Sequence, residues 1–245
     1  SVKYPEILRT DENGVRHKHG VRHNHCFTSP IYREKVREIN ERLALHFKDN
    51  PAILAWHVSN EYGWDCRCEL CAEAFREFLK KRYNNDLDKL NFEWWNSFWS
   101  HTYTDWSQIE PPSSIGENGT NALLINWKRF VTYQTLDFYK NEIEPLKRIA
   151  PDIPATTNFH GMLNHLDYFK FKDYIDFACW DAYPDWESPK GNIEAAAEVS
   201  LIYDVCRSIK HKPFLLMEST PSNVNWKQYN KSKRPGMNIL SSLQA

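Results

Sequence analysis

The sequence predicts an α/β fold built on a parallel sheet, and two observations carry that expectation. Four short apolar runs, each the length of a strand buried on both faces, are separated by longer segments with helical periodicity. Strand alternating with helix implies parallel pairing through right-handed crossovers. An open doubly wound sheet would share this rhythm, but no glycine-rich turn follows any of the runs, which argues against a nucleotide-binding sheet.

The first run, Ile53 to Ser59, follows Pro51 and stops at Asn60-Glu61. The second lies near Ala155 to Asn158, after Pro151 and Pro154. The third is Ile175 to Trp180, ending in Asp181-Ala182-Tyr183-Pro184, and the fourth is Pro213 to Met217, ending in Glu218. Helical spacing covers 31–48, with Val36, Ile39, Leu43 and Phe47 on one face and Pro30 suited to the first turn. It recurs over 69–82 through Phe75, Phe78 and Leu79. It recurs again over 121–149 through Leu124, Trp127, Val131, Leu136 and Ile143, and over 193–210 through Leu201, Ile202 and Val205. Residues 84–119 break the rhythm with Trp94, Trp95, Phe98, Trp99, Tyr103 and Trp106, followed by Pro111-Pro112. Such a long insertion after a strand end is where functional loops are built.

Composition narrows the function classes. A formal net charge of −1 offers no field for nucleic acid or anionic lipid, and no stretch approaches the ~20 apolar residues of a membrane span. Ser1 to Glu12 lacks the apolar core of a signal peptide and also an initiator Met, so the ends do not give the compartment, which is left unknown with a cytoplasmic one favoured. Ten Trp and twelve Tyr suit a sugar or protein surface, or a Trp-rich core.

Two constellations could carry chemistry. Glu61 and Glu218 each end an apolar run, and parallel strands bring their C-terminal ends to one face, so the two carboxyls can meet across the sheet. A carboxyl pair is the apparatus of glycoside cleavage, where one protonates the leaving oxygen and the other attacks the anomeric carbon. Cys66, Cys68 and Cys71 crowd six residues, and Cys26 could complete a closed tetrahedral zinc site of structural type. Cys179 and Cys206 read as small buried apolar residues. His17, His19, His23 and His25 read as a solvated loop, with a histidine metal site as the sharper alternative, and His57 as a hydrogen-bonded core histidine.

Taken together the residues resemble glycoside hydrolase family 42. The matching stretches are Tyr4-Pro5-Glu6, Arg22-His23-Asn24-His25-Cys26, Ser29-Pro30-Ile31-Tyr32-Arg33 and Ala55 to Gly63 (AWHVSNEYG). They continue with Phe98-Trp99-Ser100, Asp181-Ala182-Tyr183-Pro184 and Met217-Glu218-Ser219-Thr220, in order along nearly the whole chain. The resemblance implies a (β/α)8 TIM barrel, of which residues 1–245 would carry roughly strands four to seven in a single catalytic domain with the insertion at 84–119. Earlier strands and C-terminal domains would lie outside, and the stretch from Ile239 to Ala245 would fall near strand eight. It implies a retaining β-galactosidase with Glu61 as acid/base and Glu218 as nucleophile, inactive as this piece alone. Asn60 would hold the sugar 2-hydroxyl, Arg22, Trp99, Tyr183 and Trp226 would line the galactose pocket, and Cys26, Cys66, Cys68 and Cys71 would hold zinc. The full-length protein would be a homotrimer. The rival readings are a clan relative with another sugar specificity, a zinc-stabilised non-catalytic carbohydrate-binding or interaction module, and a metal-dependent hydrolase using the histidines.

Overall fold

A computed structural model describes residues 2–20, 22–185, 192–220 and 223–245. The chain divides into two compact units. The first comprises residues 1–48, 63–149 and 164–167, and the second residues 49–62, 150–163 and 168–245.

The first unit is helical. Helix α1 (Pro30–Phe47) starts where the sequence marks it, with Pro30 in the first turn and the Ser29 hydroxyl accepting the Tyr32 N–H. Helix α2 (Glu69–Arg82) begins after Cys68 and ends in Lys80, Lys81 and Arg82, cations that complement the helix C-terminus. Helix α4 (Asn121–Ile149) packs along α1 through a stacked Tyr32–Phe138 pair with ring centroids 5.3 Å apart. The Asn40 amide donates to the Glu142 carbonyl at 2.9 Å, and Arg33 pairs with Asp137 at 2.7 Å. This contact corrects the apolar face read for α1. Tyr32, Val36, Asn40 and Ala44 point inward, whereas Ile39 and Leu43 are exposed. The polar bonds of Asn40 and the small size of Ala44 allow the two helices to approach along that stripe, a preference that a purely apolar count misses.

The core of this unit is aromatic and aliphatic: Phe75, Leu79, Leu90, Ile109, Leu123, Trp127 and Phe130, all buried. The insertion at 84–119 contributes to it rather than looping freely. Asp86 caps helix α3 (Leu87–Glu93) by accepting the Lys89 N–H at 2.8 Å, and the Trp94 indole N–H donates to the Tyr83 hydroxyl at 2.8 Å. Asp105 and Gln108 form a capping box around a turn of 3-10 helix. Trp95 and Phe98 stack on each other at 4.9 Å and remain exposed.

The second unit holds the sheet. Strands β1 (Trp56–His57), β2 (Ala155–Thr156), β3 (Asn158–His160), β4 (Cys179–Asp181) and β5 (Leu215–Glu218) pair only in parallel among the described residues. Their order is β1-β2 and β3-β4-β5, with β2 and β3 two parts of one run separated at Thr157. The four predicted runs therefore lie side by side in sequence order, three of them shorter than their apolar stretch and the second reaching on to His160. Cys179, Trp180 and Asp181 are all buried, as a strand covered on both faces requires. Helix α5 (Asn192–Lys210) buries Ala195, Val199, Tyr203, Cys206 and Ile209, the i, i+4 stripe that lets it cover the sheet.

One further expectation is corrected, that for His57. The stretch from Ile239 to Ala245, expected near strand eight, is helical: helix α6 (Met237–Gln244) starts after Gly236 (φ +87°) and docks on α5 through the Gln244 amide, which donates to the Ala196 carbonyl at 2.6 Å. Met237, Leu240, Ser241 and Gln244 follow helical spacing, which a short apolar run conceals. His57 is exposed and not a core residue, although its Nε2 does reach Asn158 Oδ1 at 2.8 Å.

Arg76 ties the insertion to α2. Its side chain is 7% exposed, its Nε donates to the Ile109 carbonyl at 2.9 Å, and its terminal nitrogens reach Glu69, Glu73 and Glu110. Arg76→Ala leaves that carbonyl unpaired and is expected to cost about 1–3 kcal/mol in chemical denaturation. It should also speed proteolytic cleavage within 84–119; unchanged cleavage would show that the insertion holds itself.

Candidate active site and cysteine centre

The second unit gathers side chains at the C-terminal ends of its strands. Asn60 and Glu61 follow β1, Asn158 opens β3, Asp181 ends β4 with Tyr183 two residues on, and Glu218 ends β5. Glu61 is buried and sits in the left-handed region at φ +50°, two residues after Ser59 at φ +59°. Two non-glycine residues in that conformation within three positions mark backbone held by its surroundings.

Asn158, fully buried, is what holds it. Its Oδ1 accepts the Glu61 backbone N–H at 3.1 Å and faces His57 Nε2 at 2.8 Å. Its Nδ2 faces Asn60 Oδ1 at 2.9 Å, Asp181 Oδ2, and Glu218 Oε1 at 3.4 Å. An amide nitrogen carries two hydrogens, so these three acceptors compete for it. One carboxylate oxygen each from Glu61, Asp181 and Glu218 lie within 4.8 Å of one another. Tyr183 donates its hydroxyl to Glu218 Oε2 at 2.5 Å, and burial together with that bond pushes the phenol well above its ordinary value. Trp226, exposed, packs edge-on against Tyr183 with centroids 4.8 Å apart.

Of the residues singled out in the sequence, the structure thus brings together Asn60, Glu61, Tyr183, Glu218 and Trp226. Arg22 is exposed in the first unit, and Trp99 lies in a 3-10 turn of the same unit, its side chain outside the described residues. Asn158 and Asp181 were missed as site residues. The signal that marked Glu61 and Glu218, a polar residue closing an apolar run, was present at both.

Burial pushes the Asp181 carboxyl up to about 8, with the Glu218 and Glu61 charges adding to the shift and the Asn158 bond opposing it. Like charges this close repel by about 3 kcal/mol at an effective dielectric constant of 20. Asp181 is 4% exposed and its Oδ1 has no hydrogen-bond partner.

The first unit holds the cysteine centre. The four sulfurs of Cys26, Cys66, Cys68 and Cys71 lie within 4.8 Å of one another, and none is in a disulfide. Cys26 Sγ is 3.6 Å from Cys68 Sγ and 3.5 Å from Cys71 Sγ. A tetrahedral ion with metal–sulfur bonds of about 2.3 Å separates its sulfurs by about 3.8 Å, so the quartet fits such an ion. The Thr10 N–H donates to Cys66 Sγ at 3.3 Å, and Thr28 Oγ1 lies 2.8 Å from Cys71 Sγ. Cys26 and Cys68 are pushed down and Cys66 and Cys71 up, each chiefly by a hydrogen bond to another of the four, so the sulfurs share protons where a cation could replace them. His17, His19, His23 and His25 form no comparable cluster among the described residues; His23 stacks on Trp64 and His25 packs at a tilt against Tyr32. No helix among the described residues is long and apolar enough to cross a membrane.

Parallel strands with carboxyls gathered at their C-terminal ends define an α/β chain of the barrel type, and the comparisons agree. The family model described as β-galactosidase, glycoside hydrolase family 42, matches residues 1–245, and the chain belongs to that family. It is 55% identical over 245 residues to the β-galactosidase BglY of Alicyclobacillus acidocaldarius, covering 100% of this chain and 36% of BglY. It is 56% identical over 254 residues to the β-galactosidase GanA of Bacillus subtilis, covering 100% of this chain and 37% of GanA. The crystal structure of the β-galactosidase of Rahnella sp. R3 superposes with a TM-score of 0.96 at 51% identity, over 100% of this chain and 36% of that one. The chain therefore spans a little over a third of the length of these relatives, and its parallel strands are those of an incomplete (β/α)8 barrel, roughly strands four to seven.

The Asp181 shift has a consequence for stability. The unfolded carboxyl ionises near 3.8 and the folded one near 8. Between those values the folded state holds a proton that the unfolded chain has released. The stability this proton contributes is full below pH 3.8 and is lost as pH rises through 8. Asp181→Asn removes that dependence. Denaturant midpoints of the two proteins should differ little near the acid end of the window, and the variant should gain steadily towards its alkaline end. Parallel curves would show that Asp181 ionises normally.

Proposed function

We propose that the full-length protein hydrolyses terminal β-D-galactosides with retention of anomeric configuration. One observation carries this reading: Glu61, which follows β1, and Glu218, which ends β5, have carboxylate oxygens within 4.8 Å of each other. Retaining enzymes need their two carboxyls about 5–5.5 Å apart, whereas inverting enzymes leave room for a water at about 6.5–9.5 Å. The relatives named β-galactosidase supply the choice of galactose.

In this reading Glu218 attacks the anomeric carbon while Glu61 delivers a proton to the departing oxygen. A covalent galactosyl ester forms, and a water activated by Glu61 then cleaves it. The Tyr183 hydroxyl fixes one Glu218 oxygen and leaves the other to attack. Asn60, which accepts a hydrogen bond from Asn158, is assigned to the 2-hydroxyl on the family resemblance, a contact that would strengthen as charge develops on the sugar. Arg22, Trp99 and Trp226 are assigned to the galactose pocket on the family resemblance, as is a homotrimeric assembly of the full-length protein. In that protein, Glu218→Gly should abolish turnover and regain rate with azide, yielding an α-galactosyl azide. Glu61→Ala should keep most of its first step on substrates with activated leaving groups and yield the β-azide. Azide products of one configuration from both variants would overturn the roles.

We also propose that Cys26, Cys66, Cys68 and Cys71 hold one structural zinc. Four thiolates close the coordination sphere and leave no open position, so the ion would secure the loop that follows Glu61 rather than take part in the reaction. Elemental analysis should find about one zinc per chain, reduced in Cys68→Ser together with the melting temperature. Four freely titrating thiols in a folded, metal-free protein would sink the idea.

A further inference from the structure

Asp181 belongs to neither half of the double displacement, yet it lies between the two residues assigned to it. It ends β4, which pairs with β3 on one side and β5 on the other, and it sits in register with His160 and Glu218. One oxygen takes the Asn158 amide hydrogen; the other is buried and unpartnered. Among the described residues, Glu218 and Glu61 act on it by charge, its own charge acts on Cys179 and Tyr183, and His160 lies opposite it in register on β3. A buried carboxylate with one bonded oxygen and two further carboxyls as neighbours is a poor anion, but as a neutral acid it can turn its hydroxyl towards either neighbour.

We propose, on the reading of Glu61 and Glu218 given above, that Asp181 is a positioning residue that shares the acid proton with Glu61. In the resting site the proton sits on Asp181. As the glycosidic bond breaks, the Asp181 O–H bond breaks, an O–H bond forms on Glu61, and Glu61 passes its proton to the leaving oxygen. In the second step the proton that Glu61 takes from water returns along the same path, so no co-reactant is consumed. Glu61 and Asp181 oxygens within 4.8 Å are close enough for a small side-chain rotation or one bridging water to complete the transfer. Two acids so coupled lose their protons as a pair, and the pair keeps its last proton to higher pH than a lone acid would. The Asp181 value of about 8 agrees with that geometry.

The test uses the full-length protein and the pH dependence of kcat/KM on an aryl β-galactoside whose poor leaving group needs protonation. Asp181→Asn keeps the shape and the acceptor for Asn158 but holds no exchangeable acid proton. Its alkaline limb should move towards acid by more than roughly one pH unit. The displacement should shrink on a dinitrophenyl galactoside, which departs with little proton help. A role limited to packing or to orienting Asn158 would lower kcat/KM at every pH and leave the limb in place, and that result overturns the proposal. Azide rescue of Glu218→Gly separates the two levels. Rescue with an unshifted limb in Asp181→Asn removes only the role of Asp181, whereas failed rescue removes the assignment of carboxylates and the proposal with it. Should Asp181→Asn not fold, infrared spectroscopy of the wild type reads the same ionisation. A protonated-carboxyl band present at neutral pH and lost as pH rises through about 8 supports the shared proton, and no such band overturns it.

Discussion

The site depends on one side-chain amide. Asn158 presents an acceptor to the Glu61 backbone and a donor to the polar and acidic groups around it, and an amide offers both from a single planar group without a change of protonation. A carboxylate in its place would repel Asp181 and Glu218, and a cation would leave the Glu61 N–H unpartnered. The amide also fixes the left-handed turn at Glu61, where the backbone would otherwise relax. Burial removes water as a competitor, so each of these bonds is stronger than its counterpart at a surface and each loss costs more.

Both units confront the same electrostatic difficulty and meet it with different chemistry. In the second, three carboxyls converge in a largely buried place, and burial with the neighbouring charges pushes Asp181 up, so that a proton there relieves the repulsion. In the first, four sulfurs converge at distances suited to one tetrahedral ion. Protons can relieve the carboxyls because carboxyl values can be raised into the neutral range by burial. Thiolates gathered four at a time are better neutralised by a divalent cation, which satisfies all of them from one point.

The aromatic insertion shows how one composition serves two ends. Trp94 and Tyr103 turn towards the helical core, the Trp94 indole satisfied by Tyr83, while Trp95 and Phe98 stack in the open. Arg76 fastens the segment at Ile109, and the capping box at Asp105 closes its last turn. A long segment rich in rings is thus partly scaffold, and its exposed rings stand on a base that the buried ones make rigid.

The sequence by itself determined the parallel strands, the four long helices and the closeness of Glu61 to Glu218. Strand-length apolar runs can be buried only by pairing with one another, and parallel pairing brings their polar ends to one side. It also determined the cysteine quartet, because three thiols in six residues have few ways to stay apart. The resemblance to the family was legible in the same motifs. Only the tertiary structure decided which face of α1 is buried, since Asn40 and Ala44 are chosen by their partners on α4 and not by hydrophobicity. Only it decided that the last apolar stretch is a helix, because α6 is held through Gln244 on α5. And only it made Asn158 and Asp181 part of the site: a polar residue at a strand end is common, and what distinguishes these two is that neighbouring strands set them within bonding distance of groups some 20 to 100 positions away.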